Sequence, residues 1–266
     1  MAPLTLSEIW IYPIKSLGGI RLSKSKIMPK GLRYDRRWML IDDTNIFITQ
    51  RAHSIMAFFK LSFLGEQFTV NFKNDYIHLP AGAPVSQVPI TATVWDDTIE
   101  VYEVLGEYSQ WFTQRLGINC RLVHFPEENQ RLVDEKYRLE NDSVSLADGY
   151  PFLIIGQSSL DDLNTRLENP VPMNRFRPNF VFTGGKPFEE DLWRNFTIGK
   201  NRFASVKPCS RCVLTTVNQE TAERGAEPLV MLTTYRRMNN KVYFGQNLLA
   251  IDCYEIHEGD KIELGS

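Results

Sequence analysis

The run Lys207-Pro208-Cys209-Ser210-Arg211-Cys212 sets two thiols three positions apart among basic residues, and such a pair can bind a metal, exchange a disulfide or attack an electrophile. Each use has its own sequence requirement. A structural zinc site needs about two further ligands. Cys120 and Cys253 stand alone, and His53, His78, His124 and His257 form no paired spacing, so only distant ligands converging in the fold would complete one. A redox pair of the thioredoxin kind opens a helix, whereas Val213-Leu214-Thr215-Thr216-Val217 reads as a strand. Haem attachment requires a histidine where Val213 stands. What remains is a thiolate favoured by the charges of Lys207 and Arg211, suited to a soft metal or to nucleophilic attack, against two buried, inert sulfurs; spacing alone leaves these readings level. Gly184-Gly185-Lys186 fails as a phosphate loop, because Phe180 occupies the place of a required glycine and Pro187 that of a hydroxyl residue. No dinucleotide-type glycine turn and no Gly-x-Ser-x-Gly elbow occurs.

The elements that must hold these residues read as mostly β. Leu4 to Ile11, Arg21 to Ile27, Arg37 to Ile41, Phe58 to Phe63 and Gln67 to Phe72 are β-branched or aromatic runs bounded by turn formers. Thr91 to Trp95 and Thr98 to Val104 read as a hairpin about Asp96-Asp97. Tyr108, Trp111, Phe112, Arg115 and Leu116 fall on one helical stripe that Gly117 ends. Arg121 to Phe125 is a further strand, and the charged segment Pro126 to Asn141 reads as a domain connection. Beyond it, Phe152 to Ile155 is a buried strand, Ser158 and Asp161 open a helix carrying Leu160, Leu163 and Leu167, and a short helix is expected around Leu229 to Arg237. Asn179 to Thr183, Phe203 to Val206, Val213 to Val217, Leu248 to Ile256 and Lys261 to Leu264 complete the strands. The expectation is a mainly β chain with a few helices (α+β), built as two β-barrel-like units over residues 1–125 and 126–266.

The chain has 266 residues, 43% of them hydrophobic, so it is long enough for a large core. With 30 Lys+Arg against 32 Asp+Glu, nothing global draws it to nucleic acid or an anionic membrane. Four cysteines are too few for a disulfide scaffold. No apolar run reaches the ~20 residues of a membrane span. These features predict a soluble, cytoplasmic protein without nucleic-acid or membrane partners.

Four further segments accompany Cys-Ser-Arg-Cys: Tyr12-Pro13-Ile14-Lys15-Ser16, Asp35-Arg36-Arg37-Trp38, Asp148-Gly149-Tyr150-Pro151-Phe152-Leu153 and Arg175-Phe176-Arg177-Pro178-Asn179-Phe180. In this order they resemble the MOSC family, named after the C-terminal domain of molybdenum cofactor sulfurase, and in particular the mitochondrial amidoxime-reducing components and their bacterial relatives. The resemblance covers nearly the whole chain. It implies a MOSC N-terminal β-barrel domain over residues 1–125 and a MOSC domain over 126–266. It also implies a molybdenum-pterin cofactor (molybdopterin, with or without a nucleotide) whose metal is bound by Cys212, with Cys209 as a neighbour. Lys15, Ser16, Arg36, Arg177 and Asn179 are implied as pterin and phosphate contacts, Asp148, Gly149 and Tyr150 as polar contacts, Ser210 and Arg211 as neighbours of the metal thiolate, and Asn247 as a weaker match. Charge-assisted donors on Lys15, Arg36, Arg177 and Arg211 suit such a polyanion, and a thiolate suits a metal already held by sulfur.

The implied activity is reduction of small N-hydroxylated or N-oxygenated compounds. Asp148, as a partly buried carboxyl protonated near neutral pH, is the expected proton donor. Mitochondrial relatives carry an N-terminal membrane anchor, whereas this chain enters its first strand at Leu4. Some bacterial relatives carry a fused ferredoxin domain, whereas no four-cysteine cluster is present here, so a separate electron-donor protein of ferredoxin, flavoprotein or cytochrome type is implied. The other reading is a carrier of molybdenum cofactor or sulfur without small-molecule turnover.

Overall fold

A computed structural model describes residues 3–265. Its largest sheet has nine strands. Eight run in the spatial order Ile262–Leu264, Asn195–Ile198, Asn201–Arg211, Lys241–Ala250, Phe152–Gly156, Phe180–Thr183, Thr5–Ile11 and Ile20–Leu22, with Arg237–Met238 paired beside Lys241–Ala250. All these pairings are antiparallel except that of Phe152–Gly156 with Phe180–Thr183, which is parallel. An isolated bridge joins Thr5, in the next-to-last strand of this order, to Lys261, just ahead of its first strand, so the sheet curls back on itself. Inside it Phe152 stacks on Phe180 and both pack edge-on against Phe203, which gives the core large apolar area and fixed ring geometry.

The N-terminal half adds smaller sheets. Trp38–Ile41, Arg121–His124, Asp97–Glu103 and Ile90–Val94 form one of four strands, and Phe59–Leu64, Gln67–Phe72 and Asp75–Pro80 form a meander. Glu255–His257, Lys24–Met28 and Gly31–Leu32 make a third. Two of the pairings join the halves: Thr5–Ile11 lies beside Phe180–Thr183, and Lys24–Met28 beside Glu255–His257. A cut at residue 125 therefore runs between segments that share hydrogen-bonded sheets. The predicted α+β class, mainly β with a few helices, is the one observed.

Helix Tyr108–Leu116 buries Trp111, Phe112 and Leu116, and Gly117 ends it in the left-handed conformation with φ of 70°. Helix Gln157–Arg166 starts one residue ahead of the expected Ser158, with no side-chain cap. The third helix is Leu229–Tyr235. The strand expected at Val213 to Val217 is instead a 3-10 turn over Val213–Thr216. Thr215 and Thr216 return their hydroxyls to the carbonyls of Cys212 and Val213, a local alternative to sheet pairing that β-branched propensity does not reveal. The expected strand Phe203 to Val206 runs as Asn201–Arg211, with register shifts at Ser205/Lys207 and Pro208/Ser210. Leu248 to Ile256 divides between Lys241–Ala250 and Glu255–His257. Asp97 pairs with Val94, so the hairpin turns at Trp95-Asp96, one residue earlier than predicted. Among the described residues no helix is long and apolar enough to cross a membrane.

Candidate functional site

The turn after Thr5–Ile11 is pinned by Asp35, a fully buried carboxylate that accepts from the Tyr12 amide at 2.7 Å and pairs with Arg36 at 2.6 Å. This places the Arg36 guanidinium 4.3 Å and that of Arg177 4.2 Å from the centre of the Tyr12 ring. Asn179 supports the same corner: its amide donates to Trp10 O at 3.1 Å, and its oxygen accepts from Arg36 and from the Leu153 amide. Ser16, Arg36 and Arg177 have φ of 71°, 51° and 54°, a region that favours glycine. Non-glycine residues held there concentrate at sites where geometry serves function. Lys15 is only 4% exposed and donates to Leu146 O at 2.7 Å and Asp148 Oδ1 at 2.8 Å. Burial lowers its pKa to about 8 against the opposing attraction of Asp148. Burial likewise lowers that of Arg177 to about 10.

Strand Asn201–Arg211 brings up the sulfurs from the other side. Cys209 Sγ accepts from Arg211 Nη1 at 2.9 Å, and Arg211 Nη2 donates to Phe176 O at 2.7 Å, while Arg211 Nε is buried with no partner. Just past the strand, Cys212 Sγ accepts from Arg51 Nε at 3.2 Å. The same guanidinium reaches Asp148 Oδ2 at 2.5 Å, and Trp95 Nε1 donates to Asp148 Oδ1 at 3.1 Å. Desolvation pushes the Asp148 carboxyl up, but the charges of Lys15 and Arg51 and the hydrogen bonds from Lys15 and Trp95 more than reverse this and hold it well below the usual carboxylate range. The expectation that Asp148 is protonated near neutrality is therefore corrected. Every side chain bonded to that carboxylate is a donor, and two are cations.

Two adjoining cavities collect these groups. Lys15, Ser16, Arg36, Arg177 and Asn179 line an inner cleft of about 110 Å³. Ser210 and Cys212 line an outer cavity of about 440 Å³. Asp148, Gly149, Tyr150, Arg211 and Asn247 border both, so all twelve residues singled out in the sequence lie along one continuous recess. Arg51 and Trp95 join this recess without any sequence motif that singles them out. Arg51 is a single basic residue after Thr49-Gln50, with no spacing to mark it, and Trp95 reads as the end of a strand. Its position at a two-residue turn was the available signal. Among the described residues no three His, Cys, Asp or Glu side chains converge as a metal-binding group.

Residues 141–263 match the family described as MOSC domain, and residues 3–119 match the MOSC N-terminal beta barrel domain. Mitochondrial amidoxime-reducing component 1 of Mus musculus is 33% identical over 87% of this chain and 71% of its own length. The chain belongs to the MOSC-domain family. The human protein of the same name is 32% identical over 98% of this MOSC chain and 82% of its own length. Molybdenum cofactor sulfurase of Oryza sativa subsp. japonica is 28% identical over 98% of this chain, which spans only 34% of that relative.

Proposed function

We propose that the protein is a molybdenum-cofactor-dependent oxidoreductase that reduces N-hydroxylated and other N-oxygenated compounds. The observation that carries this reading is the Arg51 bridge, which ties Cys212 Sγ to Asp148 where a cation-lined cleft opens into a wider cavity. The residues present fit the cofactor. A phosphorylated pterin is a polyanion, and the cleft offers it Lys15, Arg36 and Arg177 together with Arg211, whose Nε is a buried donor awaiting a partner. In this reading Cys212 is the metal ligand. Lys15, Ser16, Arg36, Arg177, Asn179 and Arg211 hold the pterin and its phosphate, and Gly149, Tyr150, Ser210 and Asn247 line the approach.

The chemistry such a group supplies when bound is two-electron reduction at an N–O bond. The protein's own part is positional. Arg51 holds the Cys212 sulfur and the Asp148 carboxylate in one arrangement. Lys15 Nζ donates to Asp148 Oδ1 at 2.8 Å and so fixes that carboxylate at the border of both cavities. Asp148 thus acts as an ionised anchor. Electrons come from a separate donor protein.

A second reading, a cofactor or sulfur carrier without turnover, draws on the similarity to molybdenum cofactor sulfurase. Metal and pterin content of protein made with ample molybdate, followed by benzamidoxime reduction with a chemical electron donor, separates the two. Near-stoichiometric molybdenum and turnover that Cys212→Ala abolishes support the reductase. Bound cofactor without turnover favours the carrier, and zinc without pterin overturns both.

A further inference from the structure

Trp95 is the largest residue type at a position where the backbone favours the smallest. It is the first residue of the two-residue turn between Ile90–Val94 and Asp97–Glu103, with φ of 58°. Glycine, asparagine or aspartate is the usual occupant of such a position. The indole is nevertheless held in place. Arg51 lies 4.5 Å from its ring centre, Phe47 meets it edge-on at 5.0 Å, and its N–H donates to Asp148. The residue stays 42% exposed, and it faces the outer cavity next to Cys212. Strained backbone and a fixed, half-open aromatic surface together are expensive features for a turn with only a structural task. Tyr150, a second aromatic residue, lines the same cavity, and Lys207 sits 5.7 Å from its ring centre. At about 440 Å³ the cavity falls within the range of small-molecule sites.

We infer that Trp95 is a stacking platform that selects substrates whose N-hydroxylated group is attached to a flat aromatic ring. With Arg51 over the ring and Phe47 against it, the surface the indole leaves open to the outer cavity is what meets the substrate ring, while its N–H, committed to Asp148, keeps the plane from turning. This inference rests on the proposed reductase reading and names the substrate class of that site.

The test compares the kcat/KM ratio of benzamidoxime to acetamidoxime in cofactor-loaded wild type, Trp95→Asn and Trp95→Phe. Asparagine suits the left-handed turn, so that variant keeps the fold, and phenylalanine keeps a ring without the N–H. The wild-type ratio is expected to fall about tenfold in Trp95→Asn, the equivalent of one aromatic stack, and to stay within about threefold in Trp95→Phe. A ratio unchanged in Trp95→Asn overturns the inference, as does a wild-type ratio near unity. Calorimetric affinities for benzamidine and acetamidine give the same comparison without turnover. If loaded wild type reduces neither compound while the binding ratio still collapses in Trp95→Asn, the platform stands and the reductase reading falls.

Discussion

Replacing Lys15 by methionine should remove a pH-dependent penalty from the folded state. Lys15 is buried, and its pKa falls from 10.5 to about 8 because desolvation outweighs the pull of Asp148. The folded protein thus binds this proton less tightly than the unfolded chain does. The penalty is complete below the folded pKa and is relieved as pH climbs from about 8 towards 10.5. A fall from 10.5 to about 8 is equivalent to about 3 kcal/mol, at about 1.4 kcal/mol per pH unit. Between about pH 7.5 and about pH 9.5 roughly 2 kcal/mol of this is recovered, so wild-type stability gains that much from Lys15 alone. Lys30, only 2% exposed and also lowered to about 8 mainly by burial, contributes in the same direction in both proteins. Urea unfolding of wild type and Lys15→Met at the two pH values isolates the difference, with the variant gaining about 2 kcal/mol less. Equal gains would refute the reasoning. An anion held at Nζ restores the proton affinity of Lys15, so cofactor-loaded protein should show a shallower gain than cofactor-free protein.

Asp148→Asn offers three donors an amide with one acceptor, and because that side chain is 55% exposed the variant should lose only about 1 kcal/mol or less of stability in denaturant unfolding. Because the carboxyl is held ionised well below its ordinary range, its titration should leave no limb in the activity profile near neutrality. A wild-type limb near about pH 6 that vanishes in the variant contradicts that assignment. Gly245→Ala combines φ of 82° with a Cβ placed 2.6 Å from Ile155 Cγ1 and 2.8 Å from Ile154 O. A loss of about 2–4 kcal/mol is expected, and an unchanged unfolding midpoint speaks against it.

Locally encoded elements were legible in the sequence. The stripe from Tyr108 to Leu116 is a helix because its periodicity and its glycine stop agree. Elements set by distant partners were less legible. The strand through Cys209 extends to Arg211 because Lys241–Ala250 pairs along it, a partner that no local window contains. Val213 to Thr216 turns instead of extending because hydroxyl-to-carbonyl bonds compete with β propensity. The residues of the recess were readable as five separated segments, but the groups that join them were not. Arg51 and Trp95 matter through what they touch, and contact with Cys212 or Asp148 leaves no spacing in the chain.

The pairing of Thr5–Ile11 with Phe180–Thr183 also has a consequence for synthesis. A ribosome releases this strand well before its partner, with residues 12–179 made between them, a wait on the order of ten to thirty seconds at ordinary translation rates. Throughout that interval only the Ile20–Leu22 edge of the strand can pair, and Leu6, Ile9 and Ile11, all fully buried in the finished protein, lack the core that covers them while the other edge stays open. The nascent chain therefore passes through its most aggregation-exposed state before the sheet can close, and it is during this wait, more than in the finished fold, that chaperone capacity governs yield.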